Sequence, residues 1–332
     1  MNRKELYKFL EFLSQQHIVY APQKDGANLV IEEVIDSHNV VLSSEIPLHS
    51  FKKYLVPAKE TLFKFDKDKI DEGINSPNQV IFGLTTPDLK AVTLLNQVFK
   101  KDPYYQERKK KSLIVGHSLV PKQKYHFFIE KFEEHTLEHL EFDIFLAVKG
   151  QNFIVYTGSE DGQRILDDFG YKTYEHIQFA GYIKEEGPDE QMLKINEAMK
   201  QGSYMDKLWQ DLGKICIECG KCTMVCPVCF CFDVVDQASA EPGTGERKRC
   251  WASCFYTDFS EIAGPKTFGE KPKFLQNTAQ RIHFWYEHKF VRLPDEIKLA
   301  GCVGCGRCTK VCPVGIDIKK NIQKILKVKR IK

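Results

Sequence analysis

Cysteine is absent from the first 215 of the 332 residues, whereas the last 117 residues contain all twelve. The chain also lacks any apolar run near the ~18 uncharged residues that a membrane-spanning helix needs, so we expect no membrane insertion. The net charge of +3 is too small to indicate a nucleic-acid partner. Neither G-x-G-x-x-G nor a P-loop occurs, so we expect no dinucleotide site on this chain.

The first residues predict a folded helix rather than an export signal. Leu6, Phe9, Leu10 and Leu13 recur at helical spacing, and charged residues between them interrupt any apolar core of a signal peptide. Without export we expect a cytoplasmic, reducing location, where structural disulfides are rare. Twelve cysteines in such a chain indicate metal ligands.

Eight of the cysteines fall into two copies of one spacing, C-x2-C-x2-C-x3-C-P, at 216–227 and 302–313. This is the spacing of the two-cluster bacterial ferredoxin, in which the fourth cysteine of each run ligates the other cluster. Two 4Fe–4S clusters and a role in moving electrons are therefore predicted. Crossing assigns cluster 1 to Cys216, Cys219, Cys222 and Cys312, and cluster 2 to Cys302, Cys305, Cys308 and Cys226.

Glycines inside the two runs support this interpretation. Gly220, Gly304 and Gly306 permit positive φ and so let the chain curl tightly around sulfur. We expect backbone N–H groups there to approach the sulfur atoms, which raises the reduction potential of a cluster.

Four further cysteines, Cys229, Cys231, Cys250 and Cys254, are left over. They could ligate a third metal centre, but free cysteine is often a small buried hydrophobic residue, and we favour that structural role. A third cluster is therefore not expected. Iron quantitation separates about eight iron atoms per chain for two clusters from about twelve for three.

Three other metal sites match parts of the sequence less well. Zinc binds C-x2-C pairs, but two complete runs of four cysteines with a trailing proline favour iron–sulfur clusters. Cys222, Cys226 and Cys229 match the spacing of radical S-adenosylmethionine enzymes, yet too little chain follows for the barrel of about 200 residues that such enzymes need. The segment His135–His139 matches the short H-x-x-E-H zinc-protease motif, for which an exposed polar helix is the simpler interpretation.

The pattern along the chain predicts an α+β protein with two parts. Residues 1–185 alternate strand-like and helix-like segments and predict a mixed α/β domain. A polar break leads into a linking helix within 186–208. Residues 209–332 predict a ferredoxin-like domain with two 4Fe–4S clusters, interrupted by a long insert at 228–301.

Several elements of this pattern carry local signals. We predict buried strands at 80–84 and 113–117, a hairpin over 142–158, and helices that follow Pro87, begin near Asp189 and lie within 276–290. Ser159 is a predicted N-cap of a helix that ends at Gly170.

The C-terminal third closely resembles a known family. CTMVCPVCFCFDVVDQ, ERKRCWASC, HKF and GCVGCGRCTKVCPVGIDI resemble the beta subunit of soluble sulfhydrogenases (sulfur reductases) and the iron–sulfur electron-transfer subunit of anaerobic sulfite reductase. VYAP at 19–22, ETLFKFD at 60–66 and the FGL…D…LL…F pattern over 82–99 resemble the same family more weakly.

The resemblance implies a further cluster, held by four cysteines of the N-terminal half, that this chain lacks. At the corresponding places stand Pro87, Leu119 or a neighbour, and the segment 126–128, none of which is cysteine. We therefore expect the N-terminal cluster of the family to be absent.

The resemblance also implies a function and partners. We expect an electron-transfer subunit of a cytoplasmic, anaerobic oxidoreductase complex that is not itself catalytic. Its partners would be a hydrogenase or sulfite reductase catalytic subunit, together with a flavin- and NAD(P)H-binding subunit. A stand-alone iron–sulfur enzyme that uses the four remaining cysteines is the alternative.

Overall fold

The computed structural model describes residues 1–67, 69–73, 75–122, 124–128, 132–182, 190–202, 206–266, 269 and 271–327. It confirms a mixed α/β protein. The strands are β1 (Ile18–Asp25), β2 (Asn28–Glu33), β3 (Lys59–Asp66), β4 (Lys69–Asp71), β5 (Gln79–Thr85), β6 (Ser112–His117), β7 (Ile144–Lys149), β8 (Asn152–Thr157), β9 (Tyr174–His176), β10 (Phe232–Ala238) and β11 (Thr244–Trp251).

Twelve α-helices lie in the described part of the chain, together with a π-helical turn at His288–Arg292. They are α1 (Arg3–Ser14), α2 (Lys52–Leu55), α3 (Thr86–Val98), α4 (Pro103–Lys110), α5 (Glu160–Phe169), α6 (Glu190–Lys200), α7 (Lys207–Ile215), α8 (Lys221–Met224), α9 (Thr278–Glu287), α10 (Leu293–Ile297), α11 (Arg307–Val311) and α12 (Ile318–Lys327). No described helix is both long and apolar enough to cross a membrane.

A seven-stranded mixed sheet forms the centre of the N-terminal half, in the order β2-β1-β5-β6-β7-β8-β9. β1, β5, β6 and β7 run parallel, whereas β2 and β8 join their neighbours as antiparallel hairpins. Successive residues of β5 enter different cores: Val80 packs with α1 and α5, and Ile81 packs with α3 on the other face. Helices cover both faces, which explains why the central strands are continuously apolar.

The elements with local sequence signals form as predicted. The strands at 80–84 and 113–117 are β5 and β6, and the hairpin is β7–β8. Ser159 caps α5 by accepting a hydrogen bond from the Gly162 N–H, and Gly170 ends the helix with φ of 83°. The predicted helix after Asp189 is α6, although residues 183–189 at its start, and with them most of the predicted domain break, lie outside the described residues.

A second sheet joins the two halves of the chain. It is antiparallel, in the order β10-β11-β3-β4, and pairs Lys59–Asp66 of the N-terminal half with Thr244–Cys250 of the insert. At its edge Arg249 bonds Glu60 and Asp102, so charged groups from both halves satisfy one another. The insert is therefore part of the connection between the halves.

A buried ion pair makes a second connection. Arg307 of α11 and Asp88 of α3 are each 1% exposed. Both Asp88 oxygens accept from the guanidinium, at 2.7 Å and 2.9 Å, and the Pro47 carbonyl accepts from Nε at 2.8 Å. Removing one partner would leave the other as an uncompensated buried charge, which typically costs about 3–5 kcal/mol.

We predict that Asp88→Asn lowers the free energy of unfolding by about 3 kcal/mol or more. Anaerobic denaturant titration followed by circular dichroism measures this value. Asp161→Asn is the matched control, because the Asp161–Arg164 pair is exposed and should contribute about 1 kcal/mol or less. Equal losses in both variants would contradict the role assigned to the buried pair.

Candidate metal centres

Each cysteine run forms a tight loop that ends in a short helix. Gly220 begins α8 and Gly306 begins α11, with φ of 70° and 73°. Positive φ is strained for other residues, so the glycine at this place in each run has a conformational reason. The two runs are thus a structural repeat as well as a sequence repeat.

Backbone N–H groups point at sulfur in both runs. The N–H groups of Glu218 and Gly304 donate to the sulfur of the first cysteine of their run, at 3.4 Å and 3.5 Å. The Ile316 N–H donates to Cys312 Sγ at 3.2 Å. Gly304 confirms the expected contact, whereas in the first run the donor is Glu218, which adopts φ of 55° despite its side chain.

Two cavities lie beside the runs. The first is lined by Cys216, Cys219, Cys222 and Cys312, with apolar neighbours that include Phe255, Ile282 and Val314. The second is lined by Cys226, Cys302, Cys305 and Cys308, with Phe127, Val228 and Val303. Cys308 also reaches the wall of the first cavity. The fourth cysteine of each run therefore lines the cavity beside the other run, as crossed ligation requires.

The donor set fits iron–sulfur clusters. Four thiols surround each cavity, apolar side chains exclude water, and N–H groups can share the charge on sulfur. Among the described residues no three Cys, His, Asp or Glu side chains converge on one point as ligands of a single ion do. The assignment of ligands to clusters 1 and 2 stays a prediction.

Burial keeps most of these thiols protonated in the free chain. It raises the pKa of Cys222 and of Cys302 to about 12. A thiol must lose its proton to ligate iron, so metal incorporation releases protons. Cys226 differs: a hydrogen bond from Cys229 and the nearby lysine charges hold its pKa well below the usual range.

The second cavity is buried under the N-terminal half. The Phe127 N–H donates to the Gly304 carbonyl at 3.0 Å. A Cβ on Gly304 would lie 2.1 Å from the Phe127 oxygen, and one on Gly306 would lie 2.5 Å from the Tyr125 oxygen. Both glycines are therefore required by close backbone approach as well as by φ.

The first cavity lies nearer the surface. Cys219 is exposed, and the adjacent Ile217 is 61% exposed. Glu218, which occupies the place of Gly304, has room for a side chain that bonds Arg281 at 2.9 Å. The two halves of the repeat therefore differ in cover and in charge.

The four remaining cysteines do not gather at one point. Cys229 hydrogen-bonds Cys226, and Cys231 hydrogen-bonds the buried Cys254. Cys250 lies in β11 opposite Asp233 and Lys59. Their role, structural or as a third metal site, stays a hypothesis.

The positions without the N-terminal cysteines of the family lie close to the second run. Pro87 precedes Asp88, the partner of Arg307, and Phe127 lines the second cavity. The structure fills these places with packing and an ion pair. The absence of an N-terminal cluster stays a prediction. The segment His135–His139 forms a short 3-10 helix with His135 exposed.

Sequence reasoning missed three buried cations. Lys52, Lys289 and Arg307 are each 3% exposed or less. Lys289 stood within the HKF segment of the resemblance, but only the aromatic residues around it hinted that it is buried.

Crossed ligation leads to a test with matched variants. We predict that Cys226→Ser damages the cluster at Cys302–Cys308, and that Cys312→Ser damages the cluster at Cys216–Cys222. EPR spectra of the reduced protein should lose different signals in the two variants. Loss in each case from the cluster of the mutated run would refute the crossing.

Comparison with known proteins supports the same chemistry. Residues 215–316 match the family model of a 4Fe-4S dicluster domain. The chain is 27% identical over 332 residues to sulfhydrogenase 2 subunit beta of Pyrococcus furiosus, in a match that covers 96% of this chain and 95% of that protein. No solved structure matches. The match extends through both halves of the chain, which is thus a homologue of the sulfhydrogenase beta subunit, with a 4Fe–4S dicluster domain in its C-terminal third.

Proposed function

We propose that this chain is an electron-transfer subunit of a multisubunit oxidoreductase and holds two 4Fe–4S clusters. The observation that carries the proposal is the pair of adjacent thiol-lined cavities, with Cys308 in the wall of both. When bound, such clusters accept and release single electrons. Side chains of this chain hold them, exclude water and adjust their potentials, and we assign no bond-making chemistry to any residue.

The proposed partners follow from the homologue, a subunit of a sulfhydrogenase. One would be a flavin- and NAD(P)H-binding subunit, and the other a hydrogenase catalytic subunit. Anaerobic sulfite reductase is the alternative assembly. Co-purification under strict anaerobiosis identifies which catalytic subunit binds the chain.

Anaerobic reconstitution tests the clusters directly. We expect about eight iron atoms per chain and EPR signals after reduction with dithionite. About twelve iron atoms would instead support a third site at the remaining cysteines. A colourless chain would contradict the proposal, and clusters that dithionite cannot reduce would indicate a purely structural role.

A second candidate function is a stand-alone enzyme. The Cys231–Cys254 contact favours it, because the hydrogen bond from Cys254 and the two lysine charges lower the pKa of Cys231 to about 7. A thiolate at neutral pH is a nucleophile. Turnover by the isolated chain with an artificial electron donor would support this function, and its absence would support the electron-transfer subunit.

The exposed edge of the first cavity is the proposed contact with a redox partner. Ile217 lies beside Cys216, and an apolar side chain 61% exposed is suited to a protein interface. We predict that Ile217→Asp weakens binding of the co-purified partner without changing the iron content. Ile70→Asp in β4 is the control, since Ile70 is 67% exposed but lies on the second sheet. Equal affinities of both variants would argue against this edge.

A further inference from the structure

Lys289 carries a buried charge at the second cavity. It lies in the π-helical turn after α9, is 3% exposed and lines the cavity wall. Its ammonium donates to the Gly301 carbonyl at 3.0 Å and to Cys226 Sγ at 3.4 Å, and lies 5.3 Å from the Trp285 ring centre. The contact with sulfur points to a role toward the group that the thiols hold.

No carboxylate is ion-paired with Lys289 among the residues that the structure describes. A buried ammonium without an anionic partner is strongly unfavourable, so its counter-charge must come from another group. The thiols of Cys226, Cys302 and Cys308 face it and, as thiolates, raise its pKa well above the usual range. Lys289 is therefore a permanent cation whose compensation comes from the sulfur ligands.

Lys52 adds a second cation on the same side. Its ammonium donates to the Cys229 carbonyl at 3.0 Å and lies 3.9 Å from the Trp251 ring centre. It is 2% exposed, and among the described residues it too forms no ion pair with a carboxylate. It contacts backbone rather than sulfur, so its effect on the second cavity should be weaker than that of Lys289.

The first cavity has no comparable charge among the residues that line it. Lys221 is one of them but is exposed to solvent, which screens its charge. Arg281 is buried nearby, but Glu218 neutralises it. In the second run Arg307 is likewise neutralised, by Asp88. After pairing, the difference between the two sites is the ammonium of Lys289, reinforced by that of Lys52.

We propose that Lys289 raises the reduction potential of cluster 2 above that of cluster 1. An electron added to a cluster increases its negative charge, and a fixed cation 3.4 Å from a ligand sulfur stabilises the reduced state. An electron that arrives at the exposed first site would then move inward to the buried second site. This inference rests on the proposed function, because it requires both clusters.

The test replaces Lys289 and measures the two midpoint potentials. Lys289→Met keeps an unbranched apolar stem and removes the charge, and Lys289→Arg keeps the charge. Lys310→Met is the control, because Lys310 lies in α11 next to the ligands but is exposed. Potentials come from EPR-monitored redox titration of the reconstituted full chain, and the step that Cys305→Ser removes identifies cluster 2.

We expect Lys289→Met to lower the potential of cluster 2 and leave that of cluster 1 unchanged. Lys289→Arg should shift it much less, and Lys310→Met should shift neither step. If the Met variant fails to assemble cluster 2, Lys289→Gln, which can still donate to Gly301, provides the measurement. An unchanged potential, or equal shifts from Met and Arg, overturns the inference.

Iron content separates this failure from that of the proposed function. A wild-type chain without iron or without reducible clusters ends the proposed function itself. A wild-type chain with two reducible clusters, together with a Lys289→Met variant of unchanged potentials, refutes only the role of Lys289.

Discussion

The burial of the second cysteine run against the N-terminal half is the constraint on which the rest of the structure depends. Arg307 follows Gly306 directly, and its guanidinium is fixed by Asp88 and the Pro47 carbonyl. The Tyr125–Phe128 segment then lies close enough to the run that no side chain fits at Gly304 or Gly306. An ion pair and a close backbone contact, both with the N-terminal half, thus determine where the thiols lie.

The same constraint makes the two cysteine runs unequal. The runs have the same loop, the same short helix and the same N–H donors to sulfur. Their surroundings differ because one faces solvent and the other faces a folded domain. Burial supplies the second site with low polarity and with lysine charges that solvent cannot screen. Two similar ligand sets could in this way acquire different redox properties.

Features with short-range signals could be predicted from the sequence, and features of long-range pairing could not. The cap at Ser159, the glycine end at Gly170 and the β7–β8 hairpin involve neighbouring residues, so their patterns are local. The pairing of β3 with β11 joins segments far apart in the chain, and neither strand indicates its partner. The cysteine spacing predicted the metal chemistry because cluster ligands follow a strict spacing. Lys289 and Lys52 carry no such signature, since their burial depends on packing from distant segments.

The shared sheet has a consequence for dissecting the protein. β3 lies between β4 and β11, so a fragment ending near residue 185 would retain β3 with its long edge unpaired. Open edges of this kind recruit strands from other molecules and promote aggregation. The β10–β11 hairpin, cut away from β3, would have the same defect. Neither half is expected to behave as an independent module, and evolution could not readily exchange the cluster-binding part between proteins without also carrying over its complementary strand.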